Sequence, residues 1–373
     1  MEVAKRAKPS FVLAALVFAV ICPDAGEALE PPRIDKVSVN PKTVDLSRGE
    51  TVTLHFETTE EAFLGISLRD EDWNQIHRFE LGLKPAGMQT LVWDGRDKNG
   101  AFVSTYVVIY SIDARTEDNR YAHYDPAPQT GGLETEDMKF TLERETGLVS
   151  YILPKASRVR LRAGLVDGAL LNTLYDWRPE EAGRHEFSWN GLDKSGEMNL
   201  LEHPKLNMNL NAFSLPDNTI IVKGVQVDYS EPNPDYHAIL KGKHFHYPHP
   251  RIYCHEARFQ VSFPPPISSP AERGRIKEGV DWPRDERGIV MLKGKVPVRV
   301  ELDPKDREDL IRKRFEVIVY VDTQFLFEEE QAVSPATFYW DVSDLNTGEH
   351  LLTVNLMSYD DHVGTETVKV EID

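Results

Sequence analysis

A chain of 373 residues with 61 Asp and Glu against 43 Lys and Arg carries a formal charge of −18. That balance disfavours phosphate-backbone binding, so nucleic acid is not an expected partner. The length beyond Ala28 leaves room for two to four domains of roughly 100–150 residues, each able to close its own core.

At the N-terminus, Lys5, Arg6 and Lys8 precede an uncharged run from Phe11 to Cys22, and Gly26 and Ala28 offer small residues to a signal peptidase. The run is too short for a bilayer span, so residues 1–28 read as a signal peptide. Ile21 stands where lipidation of Cys22 would need a small residue, and lipidation is not expected. Once the leader is removed only Cys254 remains, so no internal disulfide is available and packing must hold the fold. The mature chain is expected to be exported, to the periplasm, the outer membrane or the cell exterior, with no transmembrane segment.

An internal repeat organises the next part of the chain. Gly87-Met88-Gln89-Thr90-Leu91-Val92-Trp93-Asp94-Gly95-Arg96-Asp97-Lys98-Asn99-Gly100 returns 96 residues later as Gly183-Arg184-His185-Glu186-Phe187-Ser188-Trp189-Asn190-Gly191-Leu192-Asp193-Lys194-Ser195-Gly196. Period-two alternation flanks both copies: Leu64, Ile66 and Leu68 before the first, Val159, Leu161 and Ala163 before the second. After them, Tyr106, Val108, Tyr110 and Ile112 are matched by Leu206, Met208, Leu210 and Ala212, at an offset of 100 that marks a four-residue insertion. Alternation on both sides of a Gly-rich turn predicts antiparallel hairpins. Trp93 and Trp189 are expected to plug the core, while Gly95, Asp97 and Gly100, like Gly191, Asp193 and Gly196, reverse the chain.

These residues resemble the immunoglobulin-like domain named after FlgD, the flagellar hook-capping protein, over about 33–115 and 147–224. The family's Gly-x-Tyr after the hairpin is absent here, since Ser104-Thr105-Tyr106 keeps only the tyrosine. The resemblance implies a β-sandwich with a scaffolding or adhesive role, and it brings no catalytic residues.

Further along, Phe315, Val317, Val319 and Val321, then Phe338 and Trp340, then Leu352, Val354 and Leu356, then Val368, Val370 and Ile372 predict strands of a third sandwich. The run Thr337 to Asp341, followed by Asn346 to Val354 and Tyr359 to Gly364, resembles bacterial Ig-like domains of surface proteins. The expected fold class is therefore all-β: tandem immunoglobulin-like sandwiches, elongated, with a His- and Pro-rich connection. The expected divisions are a signal peptide at 1–28, domain one at 29–115, a linker at 116–146, domain two at 147–224, an insertion or linker at 225–290 and domain three at 291–373.

Candidate chemistry concentrates between Tyr236 and Glu256, where His237, His244, His246, His249, Cys254 and His255 cluster. Imidazole and thiolate are the common ligands of transition metals, and His244 and His246 would share one face of a strand. No paired Cys-x-x-Cys or His-x-x-x-His spacing supports a metal site, so exposed or half-buried polar aromatics explain the cluster better. Arg251 occupies the first cysteine position of a haem-attachment motif, which is thereby broken. Asp94, Asp97 and Asn99 faintly suggest a calcium loop, but no closing acid follows and turn chemistry suffices. The pair Asp360 and Asp361 before Gly364 reads the same way.

No nucleophile elbow, zinc-protease helix or phosphate loop is present. The expectation is a non-enzymatic structural or interaction protein without a cofactor, meeting protein partners in an envelope or extracellular assembly. The alternatives are a metal- or haem-associated protein of an envelope redox system using 236–256, and a glycan-binding or glycan-active protein with a carboxylate pair between sandwiches.

Overall fold

The computed structural model describes residues 30–135, 138–226, 256–265, 282–359 and 362–373. They build three β-sandwiches, and the first is defined by β1 (Ile34–Asn40), β2 (Thr43–Asp45), β3 (Val52–Thr58), β4 (Ala62–Arg69), β5 (Gln75–Lys84), β6 (Gly87–Trp93), β7 (Val107–Arg115) and β8 (Tyr121–Tyr124). One sheet runs β1-β3-β6; the facing sheet places β7, β4 and β5 side by side. Strict alternation on β3 turns Val52, Leu54 and Phe56 inward against Leu64, Ile66 and Leu68 of β4 and Val108, Tyr110 and Ile112 of β7. Fully burying side chains of this size stabilises by about 1.5–3 kcal/mol each, which drives the two sheets together.

The second sandwich follows a short helix, α1 (Ala127–Thr130), and contains β9 (Lys139–Glu143), β10 (Leu148–Leu153), β11 (Ser157–Leu165), β12 (Leu170–Glu180), β13 (Gly183–Ser188) and β14 (Leu206–Ser214). Its sheets are β9-β10-β13 and β12-β11-β14, the same order as in the first unit. Val149, Tyr151, Leu153, Val159, Leu161 and Ala163 fill the space between them. The four-residue insertion lies in the loop before β14, where Leu200 is fully buried and the Arg144 guanidinium donates to the His203 and Leu206 carbonyls at 3.0 and 3.3 Å.

The chain then returns to the first unit. β15 (Thr219–Lys223) pairs antiparallel with β7, Thr219 opposite Ile109, and parallel with β2, Ile221 opposite Thr43. The far half of the same β7 edge is taken by β8, with Ile112 opposite Tyr124. One strand position is thus filled by two segments, and the whole second sandwich is inserted between them. The stretch 116–146, expected as a linker, carries β8, α1 and β9; the boundary expected at 224 falls after a strand of the first unit. Short polar segments look alike in sequence whether they join domains or close a sheet edge.

The third sandwich consists of β16 (Phe259–Ser262), β17 (Val290–Leu292), β18 (Lys295–Leu302), helix α2 (Pro304–Lys313), β19 (Phe315–Val321), β20 (Gln324–Glu329), β21 (Ala336–Asp341), β22 (Gly348–Ser358) and β23 (Val363–Ile372). Its sheets are β16-β18-β21 and β17-β23-β22-β19-β20, with the expected alternating residues of β19, β21 and β22 directed into one core. Two of its strands, β16 and β17, begin before residue 291, inside the stretch expected as a connection. α2 starts where Asp303 accepts a hydrogen bond from the Lys305 amide and Pro304 occupies the first turn, a pairing that suits a helix N-terminus. Among the described residues no helix is long and apolar enough to cross a membrane.

Candidate functional site

The two repeated hairpins have one construction. The Trp93 and Trp189 rings are almost wholly buried, and each indole N–H donates back into its own turn, to the Arg96 carbonyl at 2.9 Å and the Leu192 carbonyl at 3.2 Å. Asp97 accepts from the Asn99 and Ala101 amides at 2.8 and 2.9 Å. Asp193 does the same for Glu197 and Met198 at 2.7 and 2.9 Å, and also takes the Ser195 hydroxyl. Desolvation pushes the Asp97 carboxyl up, but the amides aimed at it hold it below the usual carboxylate range. Gly95 and Gly191 sit at φ +83° and +78°, and a β-carbon there would collide with Leu46 and Leu201 respectively. Gly100 and Gly196 share the left-handed backbone with open space around them. The carboxylates of the hairpins therefore hold turns: Asp94 is tied to Arg96, and Asn99 donates to Asp97.

Several of the other buried polar side chains lie at the joints between sandwiches, while others, such as Asp306 paired with Arg258 and Thr353 bonded to Thr367, serve a single unit. At the first joint, Arg158 of β11 makes a bidentate ion pair with Glu71, through Nε at 2.8 Å and through Nη2, and its Nη1 donates to the Trp177 carbonyl at 2.6 Å. Arg158 is 2 % exposed and Glu71 9 %. Arg160, two positions along the same face, lies over the Trp177 ring at 4.5 Å. Val107, Ile109, Ala127, Leu215 and Ile221 form the apolar centre of this joint, which is why β7 is buried on both faces.

At the point where the chain leaves and re-enters the first unit, Asn218 donates to the Tyr110 carbonyl at 2.5 Å and to Asp125 at 3.0 Å. Asp125 also receives Arg69 at 3.0 Å. Beside the joint lies a cleft of about 390 Å³ where Lys42, Lys155, Glu181 and Asp217 surround Leu215 and Ile221. Asp70, next to Glu71 and bonded by Asn74 at 2.8 Å, is pushed up to about 6 by burial.

The second joint is made by the third sandwich. Leu170 donates its N–H to Asn355 Oδ1 at 2.8 Å, and the Leu170 carbonyl accepts from Asn355 Nδ2 at 2.7 Å and from the Thr365 hydroxyl at 2.8 Å. Lys194 Nζ donates to the Thr365 carbonyl at 2.9 Å and pairs with Glu256 at 2.8 Å; Lys369 pairs with Glu197. Tyr320 and Ile318 pack onto the core of the second unit.

Of the other candidates, His237, His244, His246, His249, Cys254 and His255, with Cys22, Asp360 and Asp361, lie outside the described residues. Among the described residues no group of three His, Cys, Asp or Glu side chains is placed to hold a metal ion. The joint residues were not singled out by sequence. Arg158 and Arg160 occupy the outward register of an alternating strand, the ordinary solvent-facing reading, and only Trp177 behind them hints at a covered face.

The chain is an array of Ig-like β-sandwiches in which the second unit is inserted between β8 and β15, two strands that pair with β7 of the first. No protein-family model matches it. No characterised protein matches it in sequence. Solved structures similar to it include FlgD from P. aeruginosa, at 16% identity and TM-score 0.20, covering 33% of this chain and 83% of that one. Another is a 1.5-MDa bacterial ice-binding adhesin, at 12% identity and TM-score 0.18, covering 93% and 99%. A third is the endo-β-1,4-mannanase from Thermotoga petrophila, at 15% identity and TM-score 0.19, covering 50% and 30%.

Proposed function

We infer that this chain is an exported, non-enzymatic structural protein of a bacterial envelope or cell surface, serving as a scaffold, spacer or subunit of a surface assembly. The observation that carries this reading is where the buried polar groups are used. Arg158 and Glu71 fasten the second sandwich to the first, Asn355 and Thr365 of the third hold Leu170 of the second, and Asn218 and Asp125 close the first unit where the second is inserted into it. A buried ion pair contributes little net stability compared with apolar packing, but it penalises any misdocked arrangement, because a lone buried charge costs several kcal/mol. Side chains placed this way suit a protein whose task is to hold a defined shape between partners.

The FlgD-type resemblance of the hairpins supports the same reading at family level, with protein partners rather than small molecules as ligands. Affinity capture from intact envelopes, combined with fractionation of the producing cell, tests it. The expected result is recovery in the envelope or extracellular fraction together with protein partners. Confinement to the cytosol, or polysaccharide hydrolysis that disappears when a single acidic residue is neutralised, would overturn it.

A further inference from the structure

Each of the three sandwiches enters one strand through the same turn. Gly87, Gly183 and Gly348, at φ +116°, +123° and +127°, stand two residues before a side chain that donates to the carbonyl four residues back. Gln89 Nε2 donates to Pro85, His185 Nε2 to Glu181 and His350 Nε2 to Asn346, all at 2.8 Å. The glutamine carries no titratable proton, whereas the imidazoles do. His350 has a further close partner, since its Nδ1 lies 2.5 Å from Oδ2 of Asp322; the corresponding approach at His185, to Glu180, is 3.4 Å. A carboxylate and a carbonyl oxygen only accept, so both ring nitrogens of His350 carry hydrogen and the ring is an imidazolium.

That charge fastens a strained turn. Asp322 and Thr323, which join β19 to β20, have φ +47° and +68°, a left-handed backbone that a β-branched threonine adopts only where its surroundings hold it. Asp322 supplies the hold: Oδ2 meets His350, Oδ1 accepts from the Leu351 N–H at 2.9 Å, and its own N–H donates to the Leu351 carbonyl at 2.9 Å. Two residues before the turn stands Tyr320, 8% exposed, which packs onto the core of the second sandwich. The turn therefore links the imidazolium to the second joint.

We propose that the His350–Asp322 pair is a proton-dependent clasp: while His350 is charged it holds the 322–323 turn and, through Tyr320, the docking of the third sandwich on the second. Loss of the proton loosens both, because the Nδ1 lone pair then faces a carboxylate oxygen at hydrogen-bond distance. From β23, Glu371 adds a second negative charge near the ring. The cations of this region, Arg287 and Lys369, are occupied by Asp285, Glu349, Glu371 and Glu197. Desolvation pulls the His350 pKa down, but the bonds to Asp322 and the Asn346 carbonyl, with the charges of Asp322 and Glu371, outweigh it, and the net shift is upward from 6.5. With the folded value above the unfolded one, the clasp acts in full below the unfolded value and is lost as pH rises through the folded one.

Hydrogen exchange of the full mature chain from about pH 6 to about pH 9, corrected for the intrinsic rate and paired with an NMR titration of the histidine rings, tests the proposal. The amides of Leu351, bonded to Asp322, and of Leu170, bonded to Asn355 across the joint, are expected to lose protection together, about tenfold, as His350 gives up its proton. His350→Gln keeps a donor for the Asn346 carbonyl, as Gln89 does for Pro85, and is expected to show protection that does not change with pH. Asp322→Asn keeps an acceptor for the Leu351 N–H and tolerates the left-handed backbone, and is expected to lower the pKa of His350. Titration of His350 at or below 6.5, a titration that Asp322→Asn leaves in place, or a loss of protection that persists in His350→Gln would overturn the proposal. A response at Leu351 without one at Leu170 would overturn the link to the joint.

Discussion

Asn355 of β22 uses one carboxamide to hold both main-chain groups of Leu170 on the neighbouring sandwich, accepting from its N–H at 2.8 Å and donating to its C=O at 2.7 Å. The side chain does across a joint what a paired strand does within a sheet. Thr365 adds a second donor to the same carbonyl. Replacing Asn355 with Leu leaves the Leu170 N–H without its partner in a half-buried position, which costs about 1–3 kcal/mol. Equilibrium denaturation of the variant is expected to show that loss, together with faster hydrogen exchange at the Leu170 amide. An unchanged exchange rate would mean the contact does not hold the joint.

The Arg158–Glu71 pair predicts a non-additive result. Breaking it by Arg158→Met or Glu71→Leu alone strands a buried charge, at about 3–5 kcal/mol. The double replacement removes both charges and is expected to cost much less than the sum of the two. A double-mutant cycle by urea denaturation measures the coupling; additive costs would contradict the bidentate geometry.

The hairpin glycines separate two physical effects. Gly95→Ala meets both a left-handed backbone and the Leu46 side chain, whereas Gly100→Ala meets the backbone effect alone. The expected costs are about 2–4 kcal/mol and about 1 kcal/mol. Gly191→Ala and Gly196→Ala are expected to repeat the contrast, with Leu201 in the place of Leu46. Equal costs at 95 and 100 in thermal melts would show that Leu46 yields freely.

Asp70 gives stability a dependence on pH. Its folded value is raised to about 6 by burial, from a usual 3.8, so the native state binds the extra proton. That contribution is fully present below about pH 4 and is lost as pH rises through 6. Asp70→Asn removes the charge that the fold resists, and the variant is expected to match wild type near pH 4 and to exceed it by about 1–3 kcal/mol at pH 7. Denaturation at the two pH values checks this; a difference independent of pH would contradict it.

Much of the architecture was legible because both hairpin and strand leave periodic marks. Trp93 and Trp189, 96 residues apart, identified two copies of one unit, and the period-two runs around Leu64 and Phe315 located strands and their inward faces. What sequence did not show was connectivity. Thr219–Lys223 falls within the span 147–224 expected for the second domain, yet it pairs with β7, because edge assignment depends on which sheet lacks a strand, not on the strand's own composition. Joint residues were hidden for a related reason: Arg158 and Asn355 look solvent-facing until a second sandwich covers them. Ile109 and Ile221, on the outward face of their strands, carried a signal that alternation alone does not use.

The account rests on the interlocking of the first two sandwiches. When the chain is stretched from its ends in a single-molecule force experiment, tension reaches the second unit only after β15 has left β7. The predicted record is a fixed order, with rupture of the first unit always preceding a separate extension from the inserted sandwich of about 90 residues, roughly 30 nm of contour at about 3.5 Å per residue. Traces in which the inserted sandwich opens first, or in which the two open in random order, would contradict it.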